Sequence, residues 1–330
     1  MTERRSLAPA RIGASVTTRL GLGGAVLAGL YRQVSEEQAL GVVAATWDAG
    51  LRLFDTAPHY GAGLGEERLG AALAGRPRGE LTLSTKVGRR LEPRRPEDPA
   101  DLFVGAPPLK SVFDFSYDGV LRQVEASLAR LRTDRVDIAY IHDPDDHHDD
   151  AVTGAYPALV RLRDEGTVGA IGVGMNQASL LARLVRELHL DCVLLAGRYS
   201  LLDHGRPGLD LLEQCSTSGT AVVLGGVFNS GILAAPGPGA TFDYAPAPPE
   251  VQERVAVLAE LCAGHDVELP AVALQFALAH PAVAAVVVGC RSPQEVADNV
   301  AMTDRYIPAG LWEELRRAKV ISPDAPTPLS

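Results

Sequence analysis

Four side chains suited to proton transfer stand at the ends of predicted strands. Asp55, Lys86 and His142 each close a short apolar run, and Tyr60 follows Asp55 on a predicted turn. A phenol titrates at about pH 10, but a nearby ammonium favours the phenolate and lowers that pKa, while a carboxylate keeps the ammonium charged and in place. A histidine can donate a hydrogen bond to a substrate oxygen. Singly, such residues are usually solvated ion pairs or loop residues. Together on successive strand ends they predict an oxidoreductase site.

The elements that must position these residues alternate along the chain. Short apolar strands, separated by amphipathic helices, are predicted at 16–24, 51–57, 81–86, 136–142, 168–173, 192–196, 220–224 and 282–288. This order predicts an α/β fold, a single (β/α)8 TIM barrel whose strand ends share one mouth. A doubly wound sheet is the competing fold. It requires a Gly-x-Gly-x-x-Gly turn before a helix, and Gly21, Gly23 and Gly24 do not have that spacing.

The predicted boundaries follow from local signals. Ser35–Gln38 and Ser292–Glu295 are typical of capping boxes, the second with Pro at the first helical position. The segments 89–112 and 234–249 lack periodicity and are predicted to be long loops at the mouth. One domain is expected over 1–330, with an N-terminal strand or hairpin, an ordered core over about 10–320 and a loose tail at 321–330.

Composition excludes several classes of protein. The 330 residues are 46% hydrophobic, which allows a sizeable core, and the net charge of −10 argues against a nucleic-acid surface. Arg4 and Arg5 lie too far from the glycine-rich run 20–30 for a signal peptide, and no run reaches the roughly 18 apolar residues of a membrane span. The four cysteines are widely spaced, so we expect them to be reduced and the protein to be cytoplasmic.

Several motifs resemble those of the aldo-keto reductases over almost the whole chain. The resemblance is carried by the stretches 54–61 (FDTAPHYG), 85–88 (TKVG), 141–143 (IHD) and 172–176 (GVGMN). It implies that Asp55, Tyr60, Lys86 and His142 are a catalytic tetrad, with Tyr60 as general acid/base. It also implies a nicotinamide dinucleotide cofactor that is bound across the barrel mouth.

The cofactor contacts of that family match this sequence unevenly. The residues implied to bind the cofactor are Gly23, Asn176, Tyr199, Phe228, Gly289, Arg291, Glu295 and Asn299. Gly174 replaces the usual serine, the glutamine expected at Ala196 is missing, and the nicotinamide-stacking aromatic residue is replaced by Gly225 or Gly226, with Phe228 as a substitute. Glu295 stands where members that prefer NADP carry a basic residue. A carboxylate there would repel a 2′-phosphate, which predicts NAD over NADP, although Arg291 could still reach a phosphate.

A narrower resemblance is to the branch that contains D-threo-aldose 1-dehydrogenase, L-fucose and L-galactose dehydrogenases, and pyridoxal 4-dehydrogenase. It rests on the stretches 61–66, 113–119 and 142–145. It implies oxidation of a sugar hemiacetal to a lactone, with Tyr60 as the base. An NADPH-dependent carbonyl reductase, a pyridoxal dehydrogenase and a cofactor-sensing regulatory subunit remain alternatives.

Two metal hypotheses are weaker. The loop 143–150 is rich in Asp and His, but adjacent residues seldom converge on one ion, so a solvated loop is the preferred interpretation. A metal-dependent barrel hydrolase would need a His-x-His pair at the first strand, which is missing. The expected partners are a small sugar or aldehyde, with no nucleic acid or membrane, and the expected state is a monomer or homodimer.

Overall fold

Most barrel strands in the structure are nearly continuous apolar runs, and the strand Thr82–Val87 is buried throughout although it is rich in polar residues. The computed structural model describes residues 4–99 and 102–328. The strands are β1 (Pro9–Ile12), β2 (Ser15–Thr18), β3 (Leu20–Gly23), β4 (Leu53–Asp55), β5 (Thr82–Val87), β6 (Arg89–Pro93), β7 (Leu109–Phe113), β8 (Val136–His142), β9 (Val168–Met175), β10 (Cys192–Ala196), β11 (Ala221–Gly225), β12 (Thr241–Phe242), β13 (Ala245–Pro246) and β14 (Val283–Val288). Parallel strands buried on both faces have this composition.

The helices cover the outside of the sheet. They are α1 (Glu36–Asp48), α2 (Leu64–Leu73), α3 (Tyr117–Leu131), α4 (His148–Asp150), α5 (Tyr156–Asp164), α6 (Ala178–Glu187), α7 (Arg206–Ser218), α8 (Pro249–Gly264), α9 (Leu269–Ala279), α10 (Pro293–Asp304) and α11 (Ala309–Arg317). Among the described residues, no helix is long and apolar enough to cross a membrane.

The barrel prediction is confirmed. Parallel strands close in the order β10-β11-β14-β3-β4-β5-β8-β9, and β1 pairs with β2 in an antiparallel hairpin before the barrel. Ile12 of this hairpin packs against the barrel interior together with Leu53, Ile138 and Tyr140. Gly172 leaves room for Tyr140, because a Cβ at 172 would lie 2.6 Å from the Tyr140 ring. The hairpin thus closes the barrel away from the mouth.

Two predicted loops contain paired strands. Within 89–112, the ends form the antiparallel pair β6–β7, so the prediction of a structureless loop is wrong there. Within 234–249, β12 and β13 form a small hairpin. Its tip, Asp243 and Tyr244, has φ values of +53° and +65°, the geometry of a two-residue type I′ turn. Both hairpins were missed because their strands contain Glu, Lys, Pro or Ala, which are depleted in strands.

Helices α9 and α11 have no counterpart in the sequence prediction. Every residue from Ala271 to Leu278 of α9 is buried, so this helix is apolar all round and lacks the amphipathic period. The capping box at Ser35 is confirmed in both directions. At Ser292 only half of it forms: the hydroxyl accepts from Glu295 N, but the Glu295 carboxylate accepts from the backbone N–H of Arg291.

The C-terminal segment is anchored in its described part. Ile321 and Ala325 are buried, and Arg316 donates to the carbonyl of Ala325 at 3.3 Å. The backbone N–H of Ser322 donates to His204 Nε2 at 3.0 Å. The expected loose tail therefore packs against the barrel through residue 325, while 329–330 lie outside the described residues.

Candidate active site

The four predicted catalytic residues meet at the carboxyl ends of neighbouring strands. Asp55 ends β4, Lys86 is the fifth residue of β5, and His142 ends β8. Strand pairing connects β4 to β5 and β5 to β8, so residues far apart in sequence lie side by side. Tyr60 follows on the turn between β4 and α2.

Asp55 and Lys86 form a buried ion pair. Lys86 Nζ donates to Asp55 Oδ2 at 2.8 Å and to the carbonyl of Thr56 at 2.9 Å, and Ser84 Oγ donates to Asp55 Oδ1 at 2.7 Å. The two charged side chains are only 1% and 4% exposed. Burial alone would lower the pKa of Lys86, but the charge of Asp55 raises it above its usual value, so Lys86 is an ammonium. Loss of either partner would leave a buried unpaired charge, which costs about 3–5 kcal/mol.

Tyr60 stands over this ammonium. Lys86 Nζ lies 4.6 Å from the centre of the Tyr60 ring. Burial raises the pKa of Tyr60 to about 12, and the charge of Lys86 lowers it only partly. The prediction that Lys86 brings the phenol pKa below its usual value is therefore wrong for the net shift. Lys86 acts in the expected direction, but removal of the phenolate from water outweighs it.

His142 is a neutral imidazole beside Tyr60. The two rings are 5.9 Å apart at 87°. Burial, helped by the charges of Lys86 and Arg89, holds the pKa of His142 well below its usual value. Its Nδ1 is buried without a hydrogen-bond partner, and its Nε2 lies 3.5 Å from Asp143 Oδ2. A neutral imidazole can donate one hydrogen bond to a substrate oxygen.

Two further rings complete the wall around Tyr60, and both were missed in the sequence. His59 lies 6.0 Å from His142 between ring centres, and its Nδ1 is 2.8 Å from Ser111 Oγ. Phe103 is buried, with its ring 6.0 Å from Tyr60. The apolar triplet 102–104 inside a polar loop was the available signal for Phe103.

A cavity of about 510 Å³ opens at the mouth beside His142. Its walls come from the β6–β7 hairpin, from the loops after β8, β9 and β10 and from the turn between β12 and β13. Most of its lining side chains are polar or charged: Arg89, Phe113, Asp143, Asp145, Asp146, His147, Asn176, Gln177, Arg198, Asp243 and Tyr244. Its volume is that of a small-molecule site. Arg89 and Arg198 were not predicted, because both fall in segments without periodicity.

The tip of the β12–β13 hairpin reaches across this mouth. Arg198 donates two hydrogen bonds to the carboxylate of Asp243, at 2.9 and 2.6 Å. Tyr244 lines the same cavity as Asn176 and Gln177 of the loop after β9. The hairpin is therefore bonded to the loop after β10 and faces the loop after β9 across the cavity.

The histidines of the 143–150 loop have different neighbours. His147 packs on Phe113, with ring centres 4.7 Å apart, and His148 pairs with Glu187 at 2.7 Å. Among the described residues no group of His, Cys, Asp and Glu side chains has the arrangement of a metal site.

The residues predicted for the adenosine end of the cofactor surround the N-terminus of α10. Arg291 donates to the carbonyl of Leu30 at 3.1 Å, and its Nε is buried without a partner. Burial and the charge of Arg32 lower the pKa of Arg291. Asn299 donates to Cys290 Sγ at 3.3 Å. A helix N-terminus with a guanidinium that has an unpaired donor fits an anionic group such as a phosphate.

The remaining predicted cofactor residues divide into two groups. Gly23 ends β3, Gly289 comes directly after β14, and the two residues lie side by side at the mouth because these strands are paired. Tyr199 is instead buried in the helix layer, where it stacks on Phe276 at 5.4 Å. Phe228 is half-buried against the same core, so neither aromatic ring lines the cavity.

Comparisons with known proteins agree with this geometry. The model of the aldo/keto reductase family matches residues 19–319. The chain is 42% identical to D-threo-aldose 1-dehydrogenase of a Pseudomonas species, over 94% of this chain and 95% of the relative. It is 40% identical to pyridoxal 4-dehydrogenase of Microbacterium luteolum, over 97% and 98%. A holo aldo-keto reductase of Bacillus halodurans has the same fold, with a TM-score of 0.75 at 24% identity and coverage of 94% and 96%.

Proposed function

This chain belongs to the aldo/keto reductase family, and we propose that it oxidises the anomeric hydroxyl of an aldose to a lactone. It is an oxidoreductase, and enzymes of this family use nicotinamide cofactors. The observation that carries the proposal is the buried Asp55–Lys86 pair beneath Tyr60, next to a cavity lined mostly by polar side chains. The identity of 42% to an aldose 1-dehydrogenase supports the sugar as the substrate.

The proton transfer is assigned to Tyr60. In the oxidation, the proton of the anomeric hydroxyl passes to the Tyr60 oxygen while a carbon–oxygen double bond forms at C1. The ammonium of Lys86 stabilises the phenolate that accepts this proton, and Asp55 holds the ammonium in position. His142 donates a hydrogen bond to the same substrate oxygen and orients it. When bound, the nicotinamide supplies the acceptor for the hydride that leaves C1.

The cofactor is proposed to lie between Asn176 and the N-terminus of α10. Asn176 would hold the carboxamide, and the unpaired donor of Arg291 would face a phosphate. Glu295 lies beside Arg291, because its carboxylate accepts from the Arg291 N–H at 2.8 Å. A carboxylate there favours the free 2′-hydroxyl of NAD, whereas Arg32 and Arg291 are the cations that would favour NADP.

Two further inferences accompany the proposal. All four cysteines are free and buried, which is consistent with a reducing compartment such as the cytoplasm.

Pyridoxal oxidation is the second candidate function, supported by the 40% identity to pyridoxal 4-dehydrogenase.

The deciding experiment measures near-UV absorbance of the purified protein with NAD or NADP and a panel of L-fucose, L-galactose, D-arabinose and pyridoxal. Reduction of NAD by one of the sugars is the expected result. Activity on pyridoxal alone would select the second candidate. No activity on the panel, together with NADPH oxidation by simple aldehydes, would identify a carbonyl reductase. No activity in either direction, together with tight cofactor binding, would favour a regulatory subunit.

A further inference from the structure

We propose that Arg89 and Asp143 together bind the substrate hydroxyl adjacent to the reacting carbon, and so select aldoses that carry a 2-hydroxyl group. This inference rests on the proposed aldose oxidation and names the residues that set its specificity. No motif in the sequence pointed to Arg89.

The two side chains form an ion pair at the edge of the reaction site. Arg89 Nη2 donates to Asp143 Oδ2 at 2.8 Å, and this same oxygen lies 3.5 Å from His142 Nε2. Both residues line the mouth cavity, with side chains that are 18% and 28% exposed. The pair is thus accessible to a ligand and adjoins the imidazole that is assigned to the reacting oxygen.

Each partner is held in place from another side. The Arg89 guanidinium lies over the Phe113 ring, 4.3 Å from its centre. Asp143 adopts a φ of +47°, rare for a residue with a side chain, and its N–H donates to the carbonyl of Gly174 at 3.0 Å. Strained backbone of this kind is frequent where a side chain must be aimed at a ligand.

The chemistry of the pair suits a neutral hydroxyl. A hydroxyl group is both donor and acceptor, so it can donate to the carboxylate of Asp143 and accept from the guanidinium of Arg89. In an aldose whose O1 binds His142, the hydroxyl nearest to O1 is the one on C2; the ring oxygen, the other neighbour of C1, can only accept and so cannot bind Asp143. The pair is formally neutral, so an additional anion on the substrate gains little from Arg89.

The test compares an aldose with its 2-deoxy analogue. For the wild type with its cofactor, we expect kcat/KM on the 2-deoxy sugar to be lower by about 10- to 100-fold, the range of one hydrogen bond to a charged group. Arg89→Gln and Asp143→Asn should lose most of this preference, because they lower activity on the parent sugar much more than on the analogue. Arg89→Lys keeps the positive charge but loses the planar guanidinium, and it should retain part of the preference for the sugar with a 2-hydroxyl group.

The matched control is Arg90→Gln. Arg90 is the next residue on β6, its side chain is 45% exposed, and it pairs with Glu92 and Asp114, none of which lines the mouth cavity. This variant should keep the wild-type preference. Equal losses on both sugars in the Arg89 and Asp143 variants would assign the pair to structure alone and overturn this inference without affecting the proposed function. A wild type that oxidises no aldose would overturn both.

Discussion

At the scale of single residues, burial and charge act in opposite directions on Tyr60. A phenol next to an ammonium is expected to lose its proton more readily, yet the pKa of Tyr60 is raised to about 12 because the ring is withdrawn from water. Lys86 responds in the reverse way, since its contact with Asp55 outweighs its burial. Tyr60 is thus protonated at neutral pH, with a charged lysine ready to stabilise its phenolate during proton transfer.

Replacement of Tyr60 by phenylalanine removes only the hydroxyl group that is proposed to carry the proton. We expect Tyr60→Phe to lower kcat by about 10²- to 10⁴-fold, the usual contribution of a general acid or base, while the Kd of the dinucleotide changes less than about 2-fold. Steady-state kinetics and fluorescence titration with the cofactor measure the two quantities, and the melting temperature checks the fold. Turnover near that of the wild type would contradict the assignment of Tyr60.

The raised pKa of Tyr60 also predicts different pH dependences for the two directions of the reaction. In the proposed mechanism oxidation needs the phenolate, whose fraction grows about tenfold per pH unit below a pKa of about 12, so kcat/KM for oxidation should rise between about pH 7 and 10. Reduction needs the phenol and should be level over this range. His142 is neutral throughout, because its pKa is lowered. A bell-shaped oxidation profile centred near neutrality would instead indicate another titrating group.

At the scale of elements, paired hairpins rather than irregular loops build the mouth. The β6–β7 hairpin presents Arg89 and Phe113 to the cavity, and its Ser111 contacts His59. The β12–β13 hairpin carries Asp243 and Tyr244 on a two-residue turn. A hairpin holds its tip in a defined position, which a flexible loop of the same length would not do. The substrate wall is therefore largely preformed.

Tyr244 of the β12–β13 hairpin lines the same cavity as Asn176, which is proposed to hold the carboxamide, so the contact between this hairpin and Arg198 should control release of the cofactor. Asp243→Asn weakens an ion pair that is partly exposed, worth about 0.5–1 kcal/mol, so the dissociation rate of the cofactor should rise about 2- to 5-fold. Stopped-flow fluorescence measures this rate. Asp203→Asn is the control, because Asp203 lies 3.7 Å from the same guanidinium but outside the hairpin. Unchanged release from the Asp243 variant would show that the hairpin does not retain the cofactor.

At the scale of the whole molecule, the segments near the two ends of the chain pack into different clusters of the core. The β1–β2 hairpin places Ile12 in the interior cluster, and the segment after α11 packs through Ile321 and Ala325. His204 fastens this second segment: its Nδ1 donates to the carbonyl of Ser200 at 2.9 Å, and its Nε2 accepts from Ser322 N. This arrangement requires a neutral imidazole.

Acid should therefore loosen the C-terminal segment. Burial lowers the pKa of His204 in the folded protein. Its contribution to stability is fully present above the unfolded value of about 6.5 and is lost as the pH falls from there through the folded-state value. Hydrogen exchange of the amides in 320–328, corrected for the intrinsic rate, should accelerate between about pH 7 and 5.

His204→Gln should remove most of that pH dependence, because the titrating group is gone. His265→Gln is the control, since His265 pairs with Glu314 of α11 but does not contact Ser322. Protection that is independent of pH in the wild type would rule out His204 as the acid-sensitive contact.

The sequence by itself determined the barrel, the family and the positions of Asp55, Tyr60, Lys86 and His142. It could do so because strands buried on both faces are continuous apolar runs, and because strand ends in a barrel converge whatever loops lie between them. The family prediction is confirmed by the match over 19–319, and the four residues lie together as expected.

Only the tertiary structure decided the pKa shifts and the side-chain contacts, because these depend on distance and burial. The net pKa shift of Tyr60 reflects the balance between desolvation and one neighbouring charge, which strand-end position does not reveal. Tyr199 was assigned to the cofactor from its sequence position, yet it packs against Phe276. Arg89 and Asp143 are 54 positions apart and meet only because β5 and β8 are neighbours in the barrel. Side chains that meet through tertiary contacts between aperiodic loops leave no local pattern in the sequence.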